Sequence, residues 1–235
     1  MTDPTPPLVW SRPRPEPARR APGVDQYVAA ALAVADAEGL AAVSMRRVAG
    51  DLGSGTATLY RYLTNRDELL DLMVDAAQGE HPLPEPGADW RANLAAVAHA
   101  LRASLLAHPW LLEGELTGRP SLGPHALRRS ESALRAAVTL TPDIAAASRA
   151  LGVVRAYVLG SVATQQAARS AERRTGLTEE QWQHSVGPYV RQVIAAGEHP
   201  LIARRIAETD EPDPEAEFAF GLACVLDGLA TRTAR

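Results

Sequence analysis

The stretch from Gly50 to Leu70, GDLGSGTATLYRYLTNRDELL, decides how the N-terminal part of this chain folds. Its triplet Gly53-Ser54-Gly55 interrupts a helical pattern of apolar residues, which resumes directly afterwards. Two short helices joined by a glycine-containing turn form a helix-turn-helix. The stretch therefore predicts one helix over Met45–Leu52, capped by Ser44, and a second helix over Thr56–Leu63.

The outward face of the second helix combines small, hydroxyl-bearing and cationic side chains. Leu59 and Leu63 recur at the i, i+4 spacing of a buried face, so Ala57, Thr58 and Arg61 point away from the core. Such a face suits the major groove of DNA, about 12 Å wide, where it can donate hydrogen bonds to base edges and phosphates. A carboxylate there would repel phosphate, which explains why no acidic residue follows the turn before position 67.

Further candidate DNA contacts flank this face. Arg46 and Arg47 lie on the preceding helix, and Arg66 begins the following one. Phosphate contacts of this kind position a protein on DNA, whereas contacts to base edges specify the sequence. The predicted DNA-binding set is Arg46, Arg47, Thr56, Ala57, Thr58, Tyr60, Arg61, Tyr62 and Arg66.

Helical periodicity persists along the rest of the chain and predicts an all-α fold: an N-terminal three-helix helix-turn-helix domain followed by a C-terminal helical bundle. The proline- and glycine-rich segment 79–87 is the best domain boundary. The expected division is a flexible Pro/Arg-rich arm over 1–23, a DNA-binding domain over 24–79 that includes the start of a connecting helix, and an effector-binding and dimerisation domain over 88–235.

Proline and capping residues mark the starts of the later helices. Asn65 with Glu68, and Thr178 with Gln181, have the form of capping boxes. Pro124, Thr141 followed by Pro142, and Pro214 predict three further helix starts.

The overall composition restricts the function more weakly. The formal net charge of −4 argues against nucleic acid as a partner, but Trp10–Arg66 contains more arginines than acidic residues. The one cysteine, and an N-terminus without the apolar segment of a signal peptide, favour a cytoplasmic protein.

The sequence offers little that is typical of an enzyme or of a metal protein. It contains no nucleophile-elbow, Walker or zinc-protease motif, and Cys224 in an apolar helix fits a buried, inert thiol. No histidine pair has the spacing of a zinc site. We therefore expect no catalysis, no metal site and no cofactor.

The segment from Ala31 to Leu70 resembles the N-terminal domain of the tetracycline-repressor (TetR) family of transcriptional regulators. The resemblance is carried by the glycine-ended first helix, by Thr58-Leu59-Tyr60 and by the polar cap before Asp67-Glu68-Leu69-Leu70. It implies that Arg46 reaches a base, that Thr56, Ala57 and Thr58 open the recognition helix, that Tyr60 and Tyr62 touch the DNA backbone, and that Arg66 holds a phosphate.

The C-terminal part is similar to the tetracycline repressors themselves, with Trp90-Arg91, Leu105–Pro109, Leu116–Pro120 and Phe218–Gly228 as the matching segments. It departs from them where the drug is bound. The magnesium-ligating histidine position falls on Glu115 and the neighbouring threonine position on Gly118. The drug-contacting asparagine and phenylalanine positions fall on Val97 and Leu101. The resemblance thus implies the fold and the switch, but not the magnesium–tetracycline ligand.

The resemblance also implies an effector pocket and a dimer interface in the C-terminal domain. The candidate pocket residues are Trp90, Val97, Leu101, Trp110, Leu111, Glu115, Tyr157 and Trp182. The candidate interface residues are Val158, Val162, Phe218, Gly221, Leu222, Val225 and Leu229. The alternative for those on the last helix is ordinary packing inside one subunit.

The resulting hypothesis is a ligand-responsive repressor that binds a palindromic operator as a homodimer and is released by an unknown, largely apolar small molecule. The alternative is a helical protein-interaction adaptor without sequence-specific DNA binding. That alternative leaves the acid-free face of hydroxyls and arginines without a purpose.

Overall fold

A computed structural model describes residues 8–13, 21–82, 85–116, 121–209 and 213–233. The described residues contain helices and no strand, which confirms the predicted all-α fold. Short 3-10 helices cover Val9–Ser11 and Leu40–Ala42. The α-helices are α1 (Val24–Glu38), α2 (Met45–Asp51), α3 (Thr56–Leu59), α4 (Arg66–Gly79), α5 (Trp90–Ala107), α6 (Leu111–Leu116), α7 (Pro124–Val138), α8 (Ile144–Thr175), α9 (Glu179–Ala195), α10 (Pro200–Glu208) and α11 (Pro214–Thr233).

Local capping interactions fix the ends of the N-terminal helices. The Ser44 hydroxyl accepts a hydrogen bond from the backbone N–H of Arg47, and the Asn65 side chain accepts one from that of Glu68. Gly53 has φ 61°, a left-handed conformation that favours glycine and turns the chain between α2 and α3. The Tyr27 hydroxyl lies 2.7 Å from the Ser54 hydroxyl, which ties this turn to α1.

Residues 8–13 differ from the flexible arm that the composition indicates. Val9 is buried against the N-terminal core. Arg12 donates a 2.8 Å hydrogen bond to the Thr64 hydroxyl and forms an ion pair with Glu68. The correction applies to this segment alone, because residues 1–7 and 14–20 lie outside the described part of the chain.

The C-terminal domain is built around α8, which packs against α5, α7 and α11. The side chain of Asp143 caps α8 by accepting a hydrogen bond from the N–H of Ala145. The helix therefore begins after Asp143 and not at the predicted Thr141-Pro142 start. The predicted capping box of Thr178 and Gln181 is confirmed at α9.

In the single chain, helices α9 and α10 expose apolar side chains to solvent. No described side chain on either helix is buried. Their exposed large apolar residues are Trp182, Tyr189, Leu201, Ile202 and Ile206.

Candidate DNA-binding face and effector cavity

The second helix of the helix-turn-helix is shorter than the sequence predicts. Helix α3 ends at Leu59, and the chain continues to Leu63 in a tighter turn. The N–H of Arg61 bonds to the carbonyl of Thr58, and the N–H of Tyr62 to that of Leu59, both at the i to i+3 spacing of a tighter turn. The N–H of Leu63 then returns to the i to i+4 spacing by bonding to the same Leu59 carbonyl. Leu59 and Leu63 are both buried, as their spacing predicts.

The predicted DNA-facing residues divide into two groups. Arg46, Ala57, Tyr60 and Arg61 are exposed together around α2 and α3, while Thr56 and Thr58 are half-buried beside them. These side chains form the predicted DNA-facing surface of the domain. Three other predicted contacts, Arg47, Tyr62 and Arg66, are engaged elsewhere.

Arg47 is held in two ion pairs on the protein surface. Its Nε lies 2.9 Å from Asp51 Oδ2, and its Nη2 lies 2.7 Å from Glu38 Oε1. Hydrogen bonds to these two carboxylates raise the pKa of Arg47 well above its ordinary value. A phosphate contact would have to compete with both carboxylates, so the structure does not present Arg47 as an available cation.

Arg66 donates hydrogen bonds to the backbone of the DNA-binding domain. Its Nε donates a 2.8 Å hydrogen bond to the carbonyl of Val43, and its Nη2 donates one of 2.8 Å to the carbonyl of Leu40. The guanidinium thus satisfies two backbone acceptors between α1 and α2. This arrangement contradicts the expectation that Arg66 holds a phosphate.

Tyr62 also faces inward. Its hydroxyl oxygen is buried without a hydrogen-bond partner in the described part of the chain, and its ring centroid lies 6.2 Å from that of Tyr27. The expected contact of Tyr62 with the DNA backbone therefore does not fit this conformation.

A cavity of about 790 Å³ lies between α4, α5, α6, α7 and α8. Its size falls in the range of pockets that hold drug-sized ligands. Five of the eight predicted pocket residues line it: Val97, Leu101, Trp110, Leu111 and Glu115.

The other three predicted pocket residues lie outside the cavity. Trp90 is half-buried, with the guanidinium of Arg91 over its ring. Tyr157 packs against Phe218 and donates a 2.8 Å hydrogen bond to its carbonyl oxygen. Trp182 is 48% exposed on α9. Helical periodicity predicts that these aromatic residues lie on the apolar faces of their helices. It does not show which of those faces borders a cavity.

The cavity wall combines apolar side chains with a small polar group of residues that the sequence reasoning missed. Ser121, Arg129 and Arg155 line it together with Gln78 and Glu115. Glu115 is paired with Arg155, with 2.5 Å between Oε2 and Nη2, and Gln78 Nε2 lies 3.5 Å from Glu115 Oε1. The position that corresponds to a metal ligand in the tetracycline repressors is therefore occupied by an ion-paired carboxylate.

A hydrogen-bonded cluster around the buried His108 connects this cavity to the DNA-binding domain. Trp110, which lines the cavity, donates a 2.7 Å hydrogen bond from Nε1 to Asp36 Oδ1 on α1. His108 lies 2.8 Å from the same oxygen through Nδ1 and 2.9 Å from Glu80 Oε2 through Nε2. Burial lowers the pKa of His108, but the hydrogen bonds and charges of Asp36 and Glu80 outweigh it, so the net pKa is raised.

A second connection joins α4 to α7. Asp75, buried on α4, accepts 2.9 Å hydrogen bonds from the backbone N–H groups of His125 and Ala126 in the first turn of α7. Its carboxylate thus satisfies unpaired helix donors and complements the helix dipole. A Cβ atom at Gly123 would collide with the Asp75 side chain, so only glycine permits this approach.

The predicted dimer-interface residues pack mainly within one subunit. Val158, Val162, Phe218 and Leu222 are buried between α8, α11 and neighbouring helices, whereas Val225 and Leu229 are partly buried there. Gly221 lies against the ring of Tyr157, where a Cβ atom would not fit. This packing contradicts an interface role for Val158, Val162, Phe218, Gly221 and Leu222, whereas that of Val225 and Leu229 stays a prediction.

Helices α8 and α11 also carry exposed apolar side chains, which lie away from the buried residues just described. Phe220 is 72% exposed and Val153 is 49% exposed. Cys224 and Gly160 are also exposed, so Cys224 is not the buried thiol that its apolar helix indicates. The sequence signal for this face is weak, because alanine, glycine and cysteine fill most of its positions.

Two further features are absent from the described residues. No helix among them is long and apolar enough to cross a membrane. Nor does any group of three or more His, Cys, Asp or Glu side chains among them have the geometry to hold a metal ion.

Comparisons with known proteins agree with both halves of this architecture. Residues 28–73 match the profile described as "Bacterial regulatory proteins, tetR family", and residues 83–233 match "Tetracyclin repressor-like, C-terminal domain". The HTH-type transcriptional repressor DrrR1 of Streptomyces coeruleorubidus is 40% identical over 217 residues, 90% of this chain and 78% of the relative. The class A tetracycline repressor of transposon 1721 from Escherichia coli is 29% identical, covering 87% of this chain and 89% of that protein.

A solved structure shares the arrangement of both domains. The Streptomyces coelicolor TetR family protein ActR, crystallised in complex with actinorhodin, superposes with a TM-score of 0.74 at 28% sequence identity. The alignment covers 92% of this chain and all of that one.

Proposed function

Because this chain belongs to the tetR family of bacterial regulatory proteins and is a helix-turn-helix transcriptional regulator, we propose that it represses transcription as a homodimer on a palindromic operator. A small effector molecule in the cavity releases it from DNA. We place its action in the bacterial cytoplasm, where operator DNA lies, and in binding, not catalysis.

The exposed set around α2 and α3 carries the DNA-binding half of the proposal. Arg46 and Arg61 are the two cations of that set, and Ala57 and Tyr60 lie beside them. In a helix-turn-helix, the start of the second helix contacts base edges in the major groove. Arg46 and the N-terminal residues of α3 therefore read the sequence, while Arg47 and Arg66 support the domain through the contacts described above.

The exposed apolar face of α8 and α11 carries the dimeric half. A side chain as apolar as Phe220 at 72% exposure is typical of a surface that another molecule covers. A two-fold axis on this face would pair identical patches and place two copies of α3 on one side of the dimer. Successive major grooves on that side of DNA are about 34 Å apart, so the operator is an inverted repeat.

The effector half rests on the position of the cavity. Trp110 lines the cavity and bonds to α1, and Leu40, whose carbonyl is bound by Arg66, also lines it. A ligand that displaces these side chains changes contacts that hold the DNA-binding domain. Since a ligand shifts an equilibrium only through a difference in affinity, it must fit the released conformation better than the DNA-bound one. ActR, a structural relative, has been crystallised with actinorhodin bound.

The deciding experiment selects bound sequences from random duplex DNA with the full-length protein. We expect enrichment of an inverted repeat with half-site centres about one helical turn apart. Footprinting should then show protection of both half-sites by one dimer. Enrichment of no sequence, with protein partners recovered instead, would favour the adaptor; an asymmetric site would contradict the two-fold arrangement.

A further inference from the structure

The cavity contains one cation whose neighbours do not neutralise it. Arg129 on α7 lines the cavity and is half-buried, yet no carboxylate of the described residues lies within ion-pair distance of it. Its recorded contact is a long hydrogen bond of 3.4 Å from Nη1 to the carbonyl of Gln78. Burial lowers the pKa of Arg129, and the more distant charge of Glu115 offsets only part of that effect.

The nearby acidic side chain is already taken by another arginine. Arg155 donates from Nε and Nη2 to Glu115 Oε2, at 3.1 and 2.5 Å, and from Nη2 to the Glu115 carbonyl at 2.8 Å. Arg155 and Glu115 therefore form a neutral pair on the wall. Arg129 keeps its other donors available, and a partly desolvated guanidinium with free donors is costly unless an anion joins it.

A second polar group in the same wall lacks a partner. Ser121, which precedes α7 and lines the cavity, has its Oγ buried with no hydrogen-bond partner in the described part of the chain. A buried hydroxyl without a partner is uncommon in folded proteins and is explained when a ligand or ion supplies the missing bond. Arg129 and Ser121 both bring donors to one cavity.

We propose that Arg129 and Ser121 form an oxyanion subsite, so that the effector is a largely apolar molecule carrying a carboxylate or an ionised phenol or enol. The inference rests on the proposed function, because it names the ligand class of that same cavity. The apolar body of the ligand lies against Val97, Leu101 and Trp110. Its acidic oxygen accepts hydrogen bonds from the guanidinium of Arg129 and the hydroxyl of Ser121.

The carboxylates near the cavity favour a different ligand and define the rival outcome. Asp67, Asp71 and Glu113 also line it, but all three are exposed, and their charges are therefore screened by solvent. A ligand held by them would carry an amine. The partly buried position of Arg129 favours the anionic ligand, because charges interact more strongly where water is excluded.

Three anthraquinone probes of similar shape test the charge requirement by isothermal titration of the full-length protein. They are anthraquinone-2-carboxylate, anthraquinone-2-carboxamide and 2-(aminomethyl)anthraquinone. We expect the carboxylate to bind at least about tenfold more tightly than the carboxamide, as for a hydrogen bond to a charged group. Equal binding of these two, tighter binding of the amine, or no binding of the carboxylate at millimolar concentration would overturn the inference.

Variants assign the preference to the proposed subsite. Arg129→Met should abolish the preference for the carboxylate while leaving carboxamide binding within about threefold, and Arg129→Lys should restore part of it. Ser121→Ala should weaken carboxylate binding by about threefold or more. Arg135→Met is the matched control, because Arg135 is exposed on the same helix and pairs with Glu131 outside the cavity. A preference that survives in Arg129→Met would overturn the assignment.

The two proposals fail in different measurements. If the selected operator is bound but the carboxylate preference is absent, the oxyanion subsite is wrong and the repressor remains. If no operator is selected, the proposed function fails whatever the probes do. The titrations contain no DNA, so their result does not depend on the operator.

Discussion

Trp110 and Asp36 belong to different domains and are joined by a hydrogen bond of 2.7 Å from the indole Nε1 to the carboxylate Oδ1. The indole lines the proposed effector cavity, and the carboxylate lies on the first helix of the DNA-binding domain. One side chain therefore contacts both the space that a ligand would fill and the helix that supports the DNA-facing surface.

Removing this donor should weaken the connection between the domains. We expect Trp110→Phe, which keeps an aromatic ring but no N–H, to lower the free energy of unfolding by about 1–3 kcal/mol, since it removes a hydrogen bond to a charged group. Urea unfolding measures the change. Trp182→Phe is the control because Trp182 is largely exposed, and it should change stability by less than about 0.5 kcal/mol. Equal effects of the two substitutions would show that the Asp36 contact adds nothing.

His108 should make stability depend on pH. The folded-state pKa is raised above the ordinary value of 6.5, so its contribution is fully present below about pH 6.5 and is lost as the pH rises through the folded-state pKa. We expect the wild type to lose more stability between pH 6 and 8.5 than His108→Gln, followed by urea midpoints. His184→Gln, a change at an exposed histidine on α9, should keep the wild-type profile. A His108→Gln profile parallel to that of the wild type would contradict the assignment.

Arg66 should act on stability more than on DNA affinity. Arg66→Met leaves the carbonyls of Leu40 and Val43 without their charged donor and should lower the free energy of unfolding by about 2–3 kcal/mol. The dependence of operator binding on salt should keep its slope, because no phosphate contact is lost. A slope reduced by about one with unchanged stability would return Arg66 to the DNA-binding set.

Arg46 and Arg47 are neighbours in sequence with different roles. Arg46→Ala should cost about 1–3 kcal/mol of specific operator binding with dimerisation intact. Arg47→Ala should change the operator dissociation constant by less than about threefold, because Glu38 and Asp51 already hold its guanidinium. Fluorescence anisotropy with the selected duplex measures both constants. A larger loss of affinity in Arg47→Ala than in Arg46→Ala would contradict the assignment of Arg46 as a base-contacting residue.

Phe220 should hold the dimer together. We expect Phe220→Asp to give monomers in sedimentation velocity, since it places a charge in an apolar interface. The thiol of Cys224, on the same exposed helix face, should react with a maleimide faster in this variant than in the wild type. Leu127→Asp changes a residue that is also exposed, but on α7, and should leave the dimer intact. Dimers that persist in Phe220→Asp would place the interface elsewhere.

The features that sequence predicted well are those decided by neighbours along the chain. Ser44, Asn65 and Gly53 act on residues within one turn of themselves, so their caps and turn follow from local geometry. The spacing of Leu59 and Leu63 likewise identifies their buried face. The helix-turn-helix and its exposed residues could be predicted from the sequence for this reason.

Two of the reassigned residues have partners far away in sequence. Arg66 binds carbonyls more than 20 residues earlier, and the Tyr62 ring packs near Tyr27 on α1. No local pattern distinguishes such an arginine or tyrosine from one that faces DNA. In the same way, helical periodicity indicates that the large apolar residues of α8 and α11 are buried. It does not distinguish burial within one chain from burial against a partner chain, so the predicted interface included residues that pack within the chain.

The hydrogen bonds of Asp75 to the start of α7 have a mechanical consequence. They fix α4 to α7 at Asp75, which lies about 14 Å along α4 from the start of the helix at Arg66. A tilt of about 5° around this point would carry the start of α4 through about 1 Å, and a two-fold partner would double the change in separation. Asp75 is therefore the point about which we expect α4 to tilt, so that a small adjustment beside Arg129 would change how far apart the two DNA-binding domains of the proposed dimer lie.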